Sequence, residues 1–284
     1  MSRKLAFVLS GGGSRGALQV GALHALYETG LQPDLLVGTS IGAVNSTFLA
    51  LKGFSESALE GLDEAWRQVA ELDLLPANYI RLTVRAMLRR SSNSPSHRIR
   101  DFFVSQGITP ELRFGDLQHT RLVVISSDLN SGQPVLHGEN PDDKVLDALL
   151  LSTALPPWVM PVKKQGRYLM DGGLLSNLPI KPALKLGAKK IIALDLMDRS
   201  ENSSDISGFT SFLGKLYSSV EKRQVELELE LATARRVPTL YIPLARQLHV
   251  PLWDFHHYQE LIIQGYEFTR QVLDEQRKLV KKLR

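Results

Sequence analysis

The chain has 284 residues, 43% of them hydrophobic, which is enough to bury a substantial core in one large α/β domain or two small ones. It carries 34 Lys and Arg against 30 Asp and Glu, and its basic residues are scattered, so the net charge of +4 does not indicate nucleic-acid binding. The absence of cysteine excludes disulfides, thiolate catalysis and cysteine-ligated metal.

The N-terminal segment resembles the start of a signal peptide. Arg3 and Lys4 precede an apolar run at residues 5–9, but the run is too short for a signal peptide and ends in glycines. No stretch of 18 or more apolar residues is present, so the sequence predicts no membrane span. We therefore expect a cytoplasmic protein that touches a membrane surface at most transiently. The oligomeric state is not readable from the sequence.

The predicted elements alternate between strands and helices, which favours one α/β domain over residues 1–284 with a mostly parallel sheet covered on both faces. Strands are predicted at residues 4–9, 34–37, 122–125, 168–170, 191–196 and 239–242. Helices are predicted at residues 17–30, 41–52, 57–72, 143–154 and 254–283.

Three further segments do not have a single clear structural interpretation. Residues 90–97 and 200–208 are polar and are predicted as mobile loops, the first being either a substrate-gating lid or an ordinary surface loop. Residues 225–231 alternate apolar and acidic side chains like a strand, yet they are good helix formers within a charged segment. We predict a helix there.

A glycine-rich loop follows the first strand and opens the first helix. It contains Gly11, Gly12, Gly13, Arg15 and Gly16. Backbone N–H groups at a helix N-terminus suit an anion or an oxyanion, but the same glycine spacing occurs in dinucleotide-binding folds.

A dinucleotide site also requires an acidic residue just after the second strand, where it binds the ribose hydroxyls. Here Asp34 precedes that strand, and Gly38, Thr39 and Ser40 follow it. The sequence therefore favours an oxyanion site over a nucleotide site. A nucleotide-binding or regulatory module without hydrolase activity stays as the alternative.

Ser40 lies between Gly38 and Gly42, directly behind the apolar run of the second strand. A nucleophile on a sharp strand-to-helix turn needs small residues two positions either side, because a Cβ there would collide with neighbouring backbone. The pattern predicts that the Ser40 hydroxyl is exposed to substrate.

Asp171 ends the apolar strand at residues 168–170 and is followed by Gly172 and Gly173. Open α/β sheets assemble their sites at the carboxyl ends of their strands, so Asp171 is a candidate catalytic acid. A local Asp-Gly turn is the alternative interpretation.

Histidines are the other candidates for a catalytic base. His249, His256 and His257 follow Ser40 and Asp171 in the order that a hydrolase triad requires. However, only about one strand precedes the strand of the Ser40 turn, which argues against the α/β-hydrolase fold. Residues 254–257 provide no third ligand at a recognisable metal spacing, so we predict no metal site.

Together these motifs resemble the patatin-like phospholipase family. The resemblance covers the loop at 11–16, the turn at 38–42 with Ala43 and Asn45, and Asp171 to Gly173 with Asn177 and Pro179. It extends over segments 126–132 and 152–156, so that residues 4–197 form the motif-bearing core and 198–284 a less distinctive C-terminal part.

The resemblance implies a three-layer α/β/α fold in which Ser40 and Asp171 form a catalytic dyad. We expect the loop at 11–16 to provide the oxyanion hole, chiefly through the N–H groups of residues 11–13, while Arg15 faces the oxyanion or a lipid phosphate, or packs over the loop. The implied substrates are acyl esters of lipids, and no metal or cofactor is implied.

Overall fold

The computed structural model describes residues 4–72, 95–156, 159–197, 209–244 and 250–284. Their strands form one eight-stranded sheet in the order β5-β6-β3-β2-β1-β7-β8, with β4 paired to β3. The strands are β1 Leu5–Leu9, β2 Leu35–Thr39, β3 Arg121–Asp128, β4 Gln133–His137, β5 Val162–Lys164, β6 Arg167–Asp171, β7 Lys190–Asp195 and β8 Thr239–Pro243.

Helices cover both faces of this sheet. They are α1 Gly16–Glu28, α2 Ile41–Lys52, α3 Glu56–Leu72, α4 Pro95–Ser105, α5 Val145–Ser152, α6 Gly173–Ser176, α7 Ile180–Lys185, α8 Phe209–Ala234, α9 Tyr258–Glu275 and α10 Arg277–Leu283. None of the described helices combines the length and the apolar composition needed to cross a bilayer.

The core is divided between the two faces, as β1 illustrates. Its Phe7 and Leu9 pack in a cluster with α1, α2, α3, α4, α5, α9 and α10, while Ala6 and Val8 pack in a second cluster with α7 and α8. Because both faces are buried, the strand is a continuous apolar run without polar alternation. The predicted three-layer α/β/α fold is confirmed.

All six predicted strands are present, and each predicted helix has a counterpart, including residues 225–231 within α8. The helix predicted at residues 254–283 is two helices, α9 and α10, and the first of them begins at Tyr258. The central strands β1, β2, β3, β7 and β8 run parallel. The strand that carries Asp171 does not, because β6 pairs antiparallel with both β3 and β5. It enters the sheet through the short β5-β6 hairpin rather than through a helical crossover, and parallel neighbours require such a crossover.

The structure describes only part of the two segments that were predicted to be loops. Residues 95–97 form the start of α4 instead of a loop, with the proline in the first turn, where its missing N–H costs no hydrogen bond. The rest of the 90–97 segment and the 200–208 segment lie outside the described residues. The lid hypothesis for 90–97 therefore stays a prediction.

Candidate active site

Strands β2 and β6 meet end to end along one edge of β3. Thr39, the last residue of β2, pairs with Ile125, and Asp171, the last residue of β6, pairs with Ser126. Strand β4 overlaps both pairings, so it occupies the opposite edge of β3. The residue after Thr39 therefore reaches Asp171, although the two are far apart in sequence. Asp171 approaches Ser40 from an antiparallel strand, not from a shared carboxyl edge of parallel strands.

The turn at Ser40 has the geometry that its glycines predicted. Ser40 has φ 52° and ψ −123°, a conformation that L-residues rarely adopt, and α2 begins at the next residue. A Cβ on Gly38 would lie 2.5 Å from the carbonyl oxygen of Gly42, and one on Gly42 would lie 2.4 Å from that of Leu9. Ser152 Oγ accepts a hydrogen bond from the Ser40 N–H at 2.9 Å, which holds the turn from the far side.

Asp171 is buried, with 4% of its surface exposed. Its Oδ1 accepts a hydrogen bond from the N–H of Gly173 at 2.8 Å, and the Ser40 side chain lies close enough to lower its pKa. Burial outweighs both partners and raises the pKa of Asp171 from 3.8 to about 6. The carboxylate is thus a stronger base than a solvated aspartate, and it lies beside the Ser40 side chain.

The glycine-rich loop lies beside this pair, but its N–H groups are not equivalent. The N–H of Gly11 donates to Oδ1 of Asn177 at 3.0 Å and is therefore occupied. Gly12 and Gly13 also line the cavity, and within the described residues no hydrogen bond from their N–H groups is found. Gly12 and Gly13 thus differ from Gly11, whose N–H is already bonded to Asn177.

The remaining two residues of the loop differ in position. Arg15 lines the cavity, and its Nε donates to the carbonyl of Val250 at 3.4 Å, so the side chain lies over the loop. Gly16 does not line the cavity. It begins α1, and a Cβ there would collide with Ile41 and Trp66, so its role in this structure is close packing.

Ser40 and Asp171 lie in a cavity of about 260 Å³ whose walls are largely apolar. Most of the apolar wall comes from α2, α3, α4 and the segment before α9, namely Ile41, Val44, Val69, Ile99, Phe102, Phe103, Leu252 and Phe255. A second, smaller apolar pocket shares six of these residues and extends between α2 and α3 towards Phe48 and Trp66. The two pockets are therefore neighbours, and we call the second one the apolar extension.

Helix α8 contributes polar groups that the sequence analysis did not assign to the site. Glu221 accepts a hydrogen bond from Nδ2 of Asn177, whose Oδ1 holds the loop at Gly11. Burial, reinforced by Asp195 and Asp171, raises the pKa of Glu221 to about 8. Tyr217, one turn earlier, also lines the cavity. Only Asn177 belongs to a recognised motif, and α8 has no signature that would identify the other two.

The candidate histidines are not brought to Ser40 in the described residues. His256 and His257 do not line the cavity, and the side chain of His257 is 48% exposed beside Asp254 and Glu260. His249 lies outside the described residues. Within the described ranges, no three His, Asp or Glu side chains are grouped in a way that could hold a metal ion.

Comparison with known proteins agrees with this architecture. The chain is 27% identical over 305 residues to patatin-like phospholipase domain-containing protein 7 of Mus musculus, covering 95% of this chain and 20% of the relative. It is 30% identical over 261 residues to patatin-like phospholipase domain-containing protein 6 of Homo sapiens, covering 87% of this chain and 17% of the relative. The chain thus spans about a fifth of the length of these relatives.

Among solved structures, human GIVD cytosolic phospholipase A2 superposes with a TM-score of 0.57 at 13% identity, covering 99% of this chain and 61% of that chain. At this identity the likeness concerns the fold alone. A sequence model described as Patatin-like phospholipase matches residues 7–184, which is more than half of the chain and includes Ser40, Asp171 and the glycine-rich loop. The chain therefore belongs to the patatin-like phospholipase family.

Proposed function

We propose that this protein hydrolyses fatty acyl esters of lipids through a Ser40–Asp171 dyad and an acyl-enzyme intermediate. The observation that carries the proposal is the close approach of the Ser40 side chain to the buried Asp171 carboxylate in a largely apolar cavity, beside the glycine-rich loop. Membership of the patatin-like phospholipase family supports the same chemistry.

In the first step, Asp171 accepts the proton of the Ser40 hydroxyl while Oγ attacks the ester carbonyl carbon. Its raised pKa brings the carboxylate closer to the basicity that this transfer needs, and the bond from Gly173 fixes its orientation. When the tetrahedral intermediate collapses, the same proton passes to the leaving alcohol. The acyl group then remains on Ser40.

The oxyanion of the tetrahedral intermediate requires donors that are free before substrate arrives. We assign the N–H groups of Gly12 and Gly13 to this role, because Asn177 occupies the N–H of Gly11. Each such donor contributes about 3 to 4 kcal/mol to transition-state stabilisation in known hydrolases. The assignment narrows the oxyanion hole predicted from the sequence, and it leaves Gly11 and Gly16 with structural roles.

The acyl chain would lie along Ile41, Val44 and Phe103 towards the apolar extension. A volume of about 260 Å³ is close to the lower limit of small-molecule sites, so we expect one fatty acyl chain to enter at a time. Water, activated by the same Asp171 carboxylate, then hydrolyses the acyl-enzyme.

A fluorophosphonate probe tests the nucleophile directly. We expect the probe to modify Ser40, as located by mass spectrometry of the labelled peptide, and the protein to hydrolyse p-nitrophenyl esters. Ser40→Ala should lose both labelling and hydrolysis. Ser57→Ala, which changes an exposed serine at the start of α3, should retain both.

Absence of labelling in the folded protein would overturn the proposal. If nucleotides then raised the melting temperature, the nucleotide-binding alternative would replace it, since a ligand that binds only the folded state stabilises that state.

A further inference from the structure

Helix α8 presents apolar side chains to solvent at its N-terminal half. Phe212, Leu216 and Val220 are 44%, 50% and 46% exposed. Their spacing of four residues places them on one face of the helix, and we call these three residues the α8 stripe. Every residue from 215 to 220 is exposed, so this part of α8 lies at the surface of the protein.

The stripe adjoins the cavity that contains Ser40 and Asp171. Tyr217, Ser218 and Glu221, from the same two turns of α8, line that cavity. The helix therefore has one side in the cavity and a neighbouring side in solvent. A surface that contacts the stripe would meet the mouth of the cavity.

The charges on this part of α8 are mostly positive. Lys215, Lys222 and Arg223 are exposed, and the one acidic residue among positions 212–223, Glu221, is turned towards the cavity. Positions 212–223 therefore carry three basic side chains and one acidic side chain, and Arg223 is also paired with Glu226 and Glu230 of the following turns. A short apolar line flanked by lysines matches the interface of an anionic bilayer.

The basic C-terminal helix α10 is the other candidate for lipid contact, and its apolar side is already used. Val280 and Leu283 are 7% and 1% exposed within the core. Nζ of Lys190 donates to the carbonyl oxygens of Leu283 and Arg284 at 2.8 and 3.0 Å. These contacts fix α10 against the protein and leave its apolar residues unavailable to a membrane.

We infer that the α8 stripe docks on the surface of an anionic phospholipid bilayer and brings the cavity mouth to the acyl esters. The inference rests on the proposed function, because it is the lipid substrate that gives the stripe its partner. A single line of apolar side chains is enough for contact with a bilayer, since a few residues inserted at the headgroup level can hold a protein at the membrane surface. A stable protein interface buries about 800 Å² on each partner, which is more than three side chains offer.

Vesicle sedimentation tests the inference without substrate turnover when every protein carries Ser40→Ala. We expect this variant to bind vesicles of phosphatidylcholine with phosphatidylglycerol more tightly than vesicles of phosphatidylcholine alone. Adding Leu216→Ser and Val220→Ser should weaken binding about tenfold or more, because apolar contact with the acyl region is lost. Ile263→Ser, at a 58% exposed apolar residue on α9, is the matched control and should bind normally.

Lysine variants test the electrostatic part. Lys215→Glu with Lys222→Glu should remove the preference for phosphatidylglycerol, and the remaining binding should become insensitive to salt. In the Ser40-containing protein, the stripe variant should lose activity on vesicles and keep activity on the soluble ester p-nitrophenyl butyrate. Retained activity on the soluble ester shows that the variant is folded.

Unchanged vesicle binding by the stripe variant would overturn the docking assignment. So would a dimer in solution that the stripe variant dissociates, because a second copy would then cover the stripe. Failure of the proposed function gives a different result: no esterase activity on any substrate and no fluorophosphonate labelling, whatever the vesicle binding.

Discussion

The two ends of the candidate active site are built differently. At the sheet end, Ser40, Asp171 and the glycine-rich loop are fixed by backbone contacts, strand register and hydrogen bonds to buried groups. At the helical end, the cavity walls are apolar side chains of α2, α3 and α4, and its rim is the exposed half of α8. Under the proposed function, the sheet end would determine the rate of ester cleavage and the helical end the choice of substrate. Substitutions at one end should therefore leave the property controlled by the other end unchanged.

The largest expected effect is at the sheet end. Asp171→Asn keeps the shape of the side chain and removes the general base, so we expect kcat/KM to fall about 10²- to 10⁴-fold. Hydrolysis of p-nitrophenyl esters measures the loss. Replacing His256 and His257 together with Gln is the matched control and should leave the rate within about twofold, because neither lines the cavity. Loss of activity only in the histidine variant would contradict the dyad.

The second-largest expected effect is the pH dependence of kcat/KM in the wild-type protein. The Asp171 carboxyl must be ionised to accept a proton, and its pKa of about 6 means that kcat/KM should fall about tenfold per unit as the pH drops below 6. The same shift makes folding stability decrease as the pH rises from 3.8 towards 6, because the folded state favours the protonated carboxyl.

Other ionisable groups lie near Asp171, so the titration needs a control. Glu221 has a pKa of about 8, and Asp195 and Arg15 influence it. Glu221→Gln removes that second titration, and the fall below pH 6 should remain. A profile that is flat between pH 5 and 7 in this variant would exclude Asp171 as the base.

A smaller effect is expected at the helical end. Val44→Phe places a larger side chain where the cavity meets its apolar extension, so long acyl chains should be excluded and short ones accepted. We expect kcat/KM to fall about tenfold for p-nitrophenyl palmitate, because the loss of one or two methylene contacts in an apolar pocket has an effect of about this size. The value for p-nitrophenyl butyrate should change little. An equal decrease for both esters would mean that the acyl chain does not lie there.

The sequence predicted the sheet end because that end constrains the backbone. Gly38 and Gly42 are required by close backbone approaches, and such requirements leave small residues at fixed spacings. The buried strands were equally readable, since continuous apolar runs between turns have few other interpretations. The direction of β6 was not readable, because a five-residue strand has the same composition whichever way it runs.

The helical end left no comparable signal. Phe102 and Phe103 line the cavity from α4, which packs against α5, and that packing depends on tertiary contacts rather than local pattern. Glu221 is one acid among many in a charged helix, and only the fold reveals that it lines the cavity and contacts Asn177. Apolar residues of the α8 stripe read as core positions in a sequence, and their exposure is visible only in three dimensions.

The positive φ of Ser40 has a consequence for the robustness of the whole protein. A side chain held in that backbone conformation costs about 1 to 3 kcal/mol, which glycine would not incur. Ser40→Gly should therefore have a free energy of unfolding about 1 kcal/mol higher than that of Ser40→Ala, measured by denaturant titration, although both lack the hydroxyl. Under the proposed function, a relative with glycine at this position would be more stable and would have no nucleophile. Selection for thermal stability alone would therefore favour loss of the serine.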